Sequence, residues 1–238
     1  MLVSGTLGHV LINAGTSWYQ SLQVERILGQ LGEQVLDRIL LTSRRFPVSG
    51  GAQHLSDAFN EAPVHIHDDG RSALENGDFF TTWANRYDSD MPRTPTQPVC
   101  DNEVFPLGEG EIQAIALPGH APEGMGYHIP SLSTLVVGAL LPRADRPTRW
   151  DLPGGSLMDI IASFQTMRRM KLRSIVPLQG PAIRGKAHVD EVLERHLAFF
   201  EAAVENDGQP PNSWHRPAPT ALWLTPISPW PLEEHEQV

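Results

Sequence analysis

The chain has 238 residues and a formal net charge of −10 at neutral pH. A chain of this length buries about 70% of the surface that its unfolded form exposes, enough for one large domain. The acidic balance argues against nucleic acid as a partner, because the phosphate backbone repels it. No apolar stretch approaches the roughly 18 residues of a membrane span, so no membrane partner is expected. The single cysteine, Cys100, excludes an internal disulfide and favours a cytoplasmic location.

Strands and amphipathic helices alternate along the first half of the chain. The predicted elements are a strand at residues 9–15, a helix bearing Val24, Ile27, Leu28 and Leu31, a strand at residues 38–42, a helix bearing Ala52, Leu55 and Phe59, and a strand at residues 64–67. Residues 76–106 are rich in Pro, Asp and Thr, and this composition predicts an irregular surface segment.

The second half repeats the pattern and ends in a proline-rich tail. Strands are predicted at residues 111–117, 134–141 and 174–179, with a helix opened by a capping box at Ser156 and a long helix bearing Val189, Val192, Leu193, Leu197 and Phe200. We predict a single domain over residues 1–207. Residues 208–238, with Trp214, Trp223 and Trp230, are predicted to pack on the body or on a partner.

Five loop sequences, each beside a predicted strand, give a specific resemblance. Residues 39–51 read Ile-Leu-Leu-Thr-Ser-Arg-Arg-Phe-Pro-Val-Ser-Gly-Gly, and residues 117–124 read Leu-Pro-Gly-His-Ala-Pro-Glu-Gly. The other three lie at residues 10–15, 137–141 and 176–181. Together and in this order they resemble the metallo-β-lactamase superfamily, whose first signature is His-x-His-x-Asp-His, and its glyoxalase II-like branch in particular.

The resemblance implies an α/β fold, an αββα four-layer sandwich of two mixed sheets with a cleft along one edge. It also implies that most of the family's metal ligands are replaced. The ligand positions carry Ser43, Arg45, Pro47, Val48, Ala139 and Gln179, and His120 is the one ligand retained. The family usually has another strand or two before the first motif, whereas this chain begins almost at it.

Zinc requires nitrogen, sulfur or carboxylate donors that converge at about 2.0–2.3 Å. Ser43 and Gln179 are poor donors, and Arg45 brings a fixed positive charge. Two unit charges about 4 Å apart repel by roughly 4 kcal/mol at an effective dielectric constant of 20, and a dication doubles this. The sequence therefore predicts that the usual di-metal site is lost and that no cofactor is bound.

Two other chemistries stay open. A relocated metal could use His65, His67 and His120, because His65 and His67 alternate along a strand and precede Asp68 and Asp69. Ser43 could act as a nucleophile with His120 as its base, although no nucleophile elbow is present. Either would make the chain a hydrolase of thioesters, lactones or phosphoesters without the usual zinc pair.

The favoured reading is a non-hydrolytic pseudoenzyme that uses the old cleft to bind a small anion, or its surface for assembly. The candidate cleft residues are Ser43, Arg44, Arg45, His120 and Gln179. For the two arginines themselves, an internal ion pair is favoured over anion binding, and Asp68, Asp69 and Asp151 are the candidate partners. A homodimer is expected, because the tail is too apolar to stay solvated and too rich in proline to form its own core.

Overall fold

The computed structural model describes residues 1–209 and shows two β-sheets packed face to face with helices on both outer surfaces. The helices are α1 (Gln20–Leu31), α2 (Phe46–Ser49), α3 (Ala52–Ala58), α4 (Asp68–Glu75), α5 (Leu157–Arg169) and α6 (Lys186–Glu205). The strands are β1 (Leu2–Ser4), β2 (His9–Ile12), β3 (Arg38–Leu40), β4 (Val64–His67), β5 (Gln97–Val99), β6 (Val104–Pro106), β7 (Glu111–Ala116), β8 (Met125–Ile129), β9 (Thr134–Val137), β10 (Ser174–Val176) and β11 (Ile183–Arg184).

Both sheets are mixed, which confirms the predicted fold class. The first has the order β1-β2-β3-β4-β5, with β1 antiparallel to β2 and the remaining pairs parallel. The second has the order β11-β10-β9-β8-β7-β6, and only β9 and β10 run parallel. The carboxyl ends of the parallel strands face one edge of the sandwich, so the loops that follow them are neighbours.

Three hydrophobic clusters hold the four layers together. Ile12, Leu40 and Tyr127 belong to the cluster between the two sheets. A second cluster packs α1, α3 and α4 on the first sheet, and a third packs α5 and α6 on the second. Leu28 does not join the predicted stripe of α1, since its side chain is 48% exposed. This helix buries a narrower face, with Ile27 and Leu31 inward.

The predicted irregular segment at residues 76–106 is wrong in part, because it contains β5 and β6. Both strands are three residues long, carry a proline, and lie at the edges of their sheets. Proline is tolerated at such edges because it has no N–H to donate to a neighbouring strand. Strand β8 was also missed, since Met125, Gly126 and Tyr127 are all buried and give no alternating pattern.

Trp214, Trp223 and Trp230 lie outside the described residues, so the packing of the tail stays a prediction. The homodimer and the cytoplasmic location also stay predictions. Within residues 1–209, no helix is both long enough and apolar enough to cross a membrane.

Asn13 joins the ends of β2 and β3. It adopts a left-handed conformation with φ 63°, which asparagine tolerates better than most residues. Its Oδ1 accepts hydrogen bonds from the backbone N–H and the hydroxyl of Thr42, both at 2.9 Å. Because Thr42 opens the loop that leads to Ser43 and Arg45, this contact fixes where that loop starts.

Asn13→Ala should lower the free energy of unfolding by about 2–3 kcal/mol, because it removes two hydrogen bonds and strains a left-handed backbone. Asn13→Gly should cost less, since glycine keeps the conformation and loses only the acceptor. Asn13→Asp keeps the acceptor and should be the mildest of the three. Urea unfolding measures all three, and an Asn13→Ala loss below about 0.5 kcal/mol would contradict this role.

Candidate functional site

The loop after β3 is folded around one buried carboxylate. Glu123 is fully buried, and its Oε1 accepts hydrogen bonds from the Ser43 hydroxyl and the Arg44 N–H, each at 2.9 Å. The Arg45 N–H in turn donates to the Ser43 hydroxyl at 3.2 Å. The glutamate therefore sets the conformation of three consecutive residues at the family's first ligand positions.

Arg44 supplies the counter-charge of Glu123. Its Nη1 lies 3.0 Å from Glu123 Oε2, and the same nitrogen donates to the backbone carbonyl of Asp69 at 3.2 Å. The expectation of an internal ion pair therefore holds for Arg44, but the candidate partners Asp68, Asp69 and Asp151 are wrong. Asp68 pairs with Arg71, Asp69 lies beside His67, and Asp151 pairs with Arg149.

Arg45 ties together three segments that are distant in sequence. Its guanidinium donates to the backbone carbonyls of Thr81 at 2.8 Å, Pro153 at 3.0 Å and His120 at 3.4 Å. Burial is the main cause that lowers the pKa of Arg45, to about 10, so the side chain stays charged at neutral pH.

Residues 78–89, here termed the cover loop, close the cleft over Arg45. The ring of Trp83 lies 6.0 Å from the guanidinium carbon of Arg45, 5.4 Å from that of Arg149 and 5.5 Å from that of Arg86. These are cation–π distances. Trp83 has φ 67°, a left-handed conformation that bulky residues rarely adopt. Contacts to the surrounding side chains must hold it there.

His120, the retained ligand position, is buried and neutral. The hydroxyl of Thr148 donates to the carbonyl of Ala139 at 2.7 Å, so its oxygen is free to accept from His120 Nδ1 at 3.0 Å. The carbonyl of Arg149 accepts from the same nitrogen at 3.1 Å. Nδ1 therefore carries the proton. Burial, followed by the charge of Arg45, lowers the pKa of His120 to about 3.

A cavity of about 10 Å³ remains where these loops meet. This is about the smallest volume that holds one water molecule. Its lining comprises Arg45, Pro47, Val48, Trp83, Tyr87, His120, Ala139, Leu152 and Leu178. Five of these residues stand at positions that the resemblance aligns with metal ligands of the family. The fold therefore brings these positions together around one small cavity.

Ser43, Arg44 and Gln179 do not line this cavity. Ser43 and Arg44 face Glu123, whereas the backbone N–H of Gln179 donates to the carbonyl of Pro142 at 2.9 Å. The hydroxyl of Ser43 donates to the glutamate and not to His120. Ser43 and His120 therefore do not form a pair of nucleophile and base.

The histidines of β4 have other contacts. The buried ring of His65 packs edge-on against Phe105, with centroids 5.9 Å apart. His67 caps α4 by accepting from the Asp69 N–H at 3.4 Å. Across the part of the chain that the structure describes, no group of three or more His, Cys, Asp or Glu side chains is placed to hold a metal ion.

Sequence reasoning missed Glu123, Trp83 and Arg149 as residues of the site. For Glu123 a signal was present: the family loop reads Pro-Gly-His-x-Pro-Gly, and this chain has glutamate directly after the second proline. For Trp83 and Arg149 the sequence offered none, because both come from irregular segments.

Comparison with known proteins places the chain by its fold. No family model and no curated protein sequence matches it. Among solved structures, TTHA1623, crystallised in a di-iron-bound form, is 26% identical over 77% of this chain and 88% of that chain, with a TM-score of 0.64. The metallo-β-lactamase family protein TTHA1429 from Thermus thermophilus is 19% identical over 86% and 75%, with a TM-score of 0.66.

A third similar structure is a metallo-β-lactamase from Cronobacter sakazakii described by its HARLDQ motif. It is 18% identical over 86% of this chain and 90% of that chain, with a TM-score of 0.67. The resemblance inferred from the five loops is thereby confirmed at the level of the fold.

Glu123→Gln should destabilise the protein by about 3–5 kcal/mol, because it leaves the buried charge of Arg44 without a partner. Combining it with Arg44→Met should cost less than the sum of the two single changes, since the orphaned charge is then removed. Glu75→Gln, in the exposed pair with Arg71, is the control and should cost less than about 1 kcal/mol. Additive losses in the double variant would contradict the pairing.

Acid should destabilise the protein through His120. An unfolded histidine titrates near its usual pKa of 6.5, whereas burial holds the folded pKa of His120 near 3. The contribution of neutral His120 to the free energy of unfolding is therefore fully present above about pH 6.5. Between pH 6.5 and 3, each decrease of one pH unit reduces the folding equilibrium constant roughly tenfold. Burial also lowers the pKa of His196, to about 4, which acts in the same direction.

Denaturant unfolding between pH 7.5 and 4 measures this slope in the parent protein, in His120→Asn and in the exposed control His188→Asn. The His120 variant should show a smaller slope than the parent, and the His188 variant an equal one. Equal slopes in all three proteins would show that His120 takes up its proton while folded.

Proposed function

We propose that this protein of metallo-β-lactamase fold is a non-hydrolytic member of its superfamily that has lost the metal pair and acts through its surface, in assembly. One observation carries the proposal: the cleft loops meet around a cavity of about 10 Å³, bridged by the guanidinium of Arg45. This volume holds about one water molecule, so a substrate could enter only if the loops moved apart.

The donor set also does not fit a metal pair. Among the family's ligand positions, Pro47, Val48 and Ala139 have no donor atom, and Ser43 is committed to Glu123. His120 would offer one nitrogen, but the charged guanidinium of Arg45 lines the same cavity. A single imidazole beside a fixed cation cannot hold a divalent ion.

The HARLDQ motif of the Cronobacter protein can be compared with residues 43–48 of this chain. Arginine is the third residue of that motif, and Arg45 is third in the matching Ser-Arg-Arg-Phe-Pro-Val of residues 43–48. Arginine at this position is thus found in a protein that is called a metallo-β-lactamase. What separates this chain is the loss of the motif's histidine and aspartate, which correspond to Ser43 and Pro47.

Assembly is favoured over binding of a small anion in the old cleft. Arg44 is neutralised by Glu123, and Arg45 donates to backbone carbonyls of three segments. An anion would have to compete for the two Nη groups of Arg45 with the carbonyls of Thr81, His120 and Pro153. The closed cleft therefore resembles a structural core more than a binding pocket.

The test uses the purified full chain. After dialysis, elemental analysis should find well below one equivalent of zinc, iron or manganese per chain. Thioester, lactone and phosphoester substrates should be hydrolysed no faster than in buffer, with or without added zinc.

His120→Asn is the matched control, because it removes the one retained ligand. One or more equivalents of metal in the parent, lost in this variant, would overturn the proposal and restore the cleft as a metal site. Hydrolysis by the parent that His120→Asn abolishes would instead support a hydrolase that works without the usual zinc pair.

A further inference from the structure

Two pairs of exposed aromatic side chains lie in or beside the cover loop. Trp18 and Tyr19 precede α1, and Phe79 and Phe80 lie in the cover loop; all four are exposed, and we term them the aromatic rim. Large aromatic side chains grouped on a surface mark an interaction site more often than single exposed leucines do.

The rim is continuous with the cover loop. Trp18 Nε1 donates to the Ser89 hydroxyl at 2.6 Å, and its ring lies 5.8 Å from that of Tyr87. The rings of Phe79 and Phe80 lie 4.0 Å apart, and the next residue, Thr81, accepts from Arg45. Whatever covers the rim therefore also covers the loop that closes the cleft.

The described chain ends beside this surface. Helix α6 starts next to β11, at the end of the sandwich away from the cleft, and its 20 residues return the chain about 30 Å to the cleft edge. There the carbonyl of Gly208 accepts from Trp150 Nε1 at 3.0 Å. The adjacent Arg149 contacts Trp83 of the cover loop.

The sequence beyond this point supplies aromatic residues that suit such a surface. Trp214 is the sixth residue after Gly208, and six extended residues span at most about 20 Å. Trp223 and Trp230 follow, with prolines between them.

We propose that residues 210–232 bind across the aromatic rim and the cover loop, with their tryptophans as the anchoring side chains. The segment then shields the rim and holds the cover loop closed from outside, as Arg45 holds it from inside. This proposal stands whether or not the cleft binds metal.

Photo-crosslinking in the full chain tests it. p-Benzoylphenylalanine replaces Phe80, which is 64% exposed, and in a matched control it replaces Leu132, which is 61% exposed and precedes β9 at the end away from the cleft. Mass spectrometry should map the crosslinks from position 80 to residues 210–232, with at least tenfold fewer from position 132. Gel mobility should show that the crosslink lies within one chain, because the described part of that chain ends beside Trp150. Crosslinks to residues 210–232 of a second copy would overturn the proposal.

Hydrogen exchange gives a second readout that needs no unnatural residue. In the variant Trp214→Ser/Trp223→Ser/Trp230→Ser, amides of residues 78–89 should exchange at least tenfold faster, and those of β10 should be unchanged. Crosslinks from position 80 to the folded body of a second copy, or equal yields from both positions, would overturn the proposal. Unchanged exchange in residues 78–89 would overturn it as well.

Discussion

The arrangement of the cleft depends on the carboxylate of Glu123. A fully buried charge is tolerated only when it is paired and hydrogen-bonded, and here the Arg44 guanidinium, the Arg44 N–H and the Ser43 hydroxyl meet that need. The same hydroxyl accepts the N–H of Arg45, so the direction in which Arg45 leaves the backbone follows from the position of the glutamate. The loop that resembles the family's first ligand signature is thus ordered by an internal acid.

Arg45 connects three segments around the cleft. A metal connects loops through convergent donors, whereas a guanidinium connects them through N–H groups that diverge in one plane. The carbonyls of Thr81, His120 and Pro153 accept from the two Nη groups. Because the connection is made by a side chain of fixed size and charge, the cleft closes around it to a cavity of about 10 Å³. This closure is the basis of the proposal that the protein is not a hydrolase.

The sequence predicted the fold well and the site in part. Motif order placed Arg45, Pro47, Val48, His120 and Ala139 on one surface, because loops after parallel strands of one sandwich meet at the same edge. Gln179 was expected there too, but the preceding residue of the final loop lines the cavity.

The contacts that organise the loop could not be predicted in the same way. Glu123 is hydrogen-bonded to Ser43 across 80 residues of sequence, and although its place in the Pro-Gly-His-x-Pro loop marks it as unusual, the loop sequence does not indicate which residue it contacts. Strand β8 was not predicted for a related reason, because burial on both faces removes the alternation by which a strand is detected.

The most direct measurement is hydrogen exchange of the cover-loop amides in the full chain. It compares Arg45→Met with Arg86→Met, because the exposed guanidinium of Arg86 contacts the same Trp83 ring. If Arg45 closes the cleft, exchange at Thr81, Thr82 and Trp83 rises at least tenfold in Arg45→Met and stays at the parent rate in Arg86→Met; equal rates in the two variants would contradict the account.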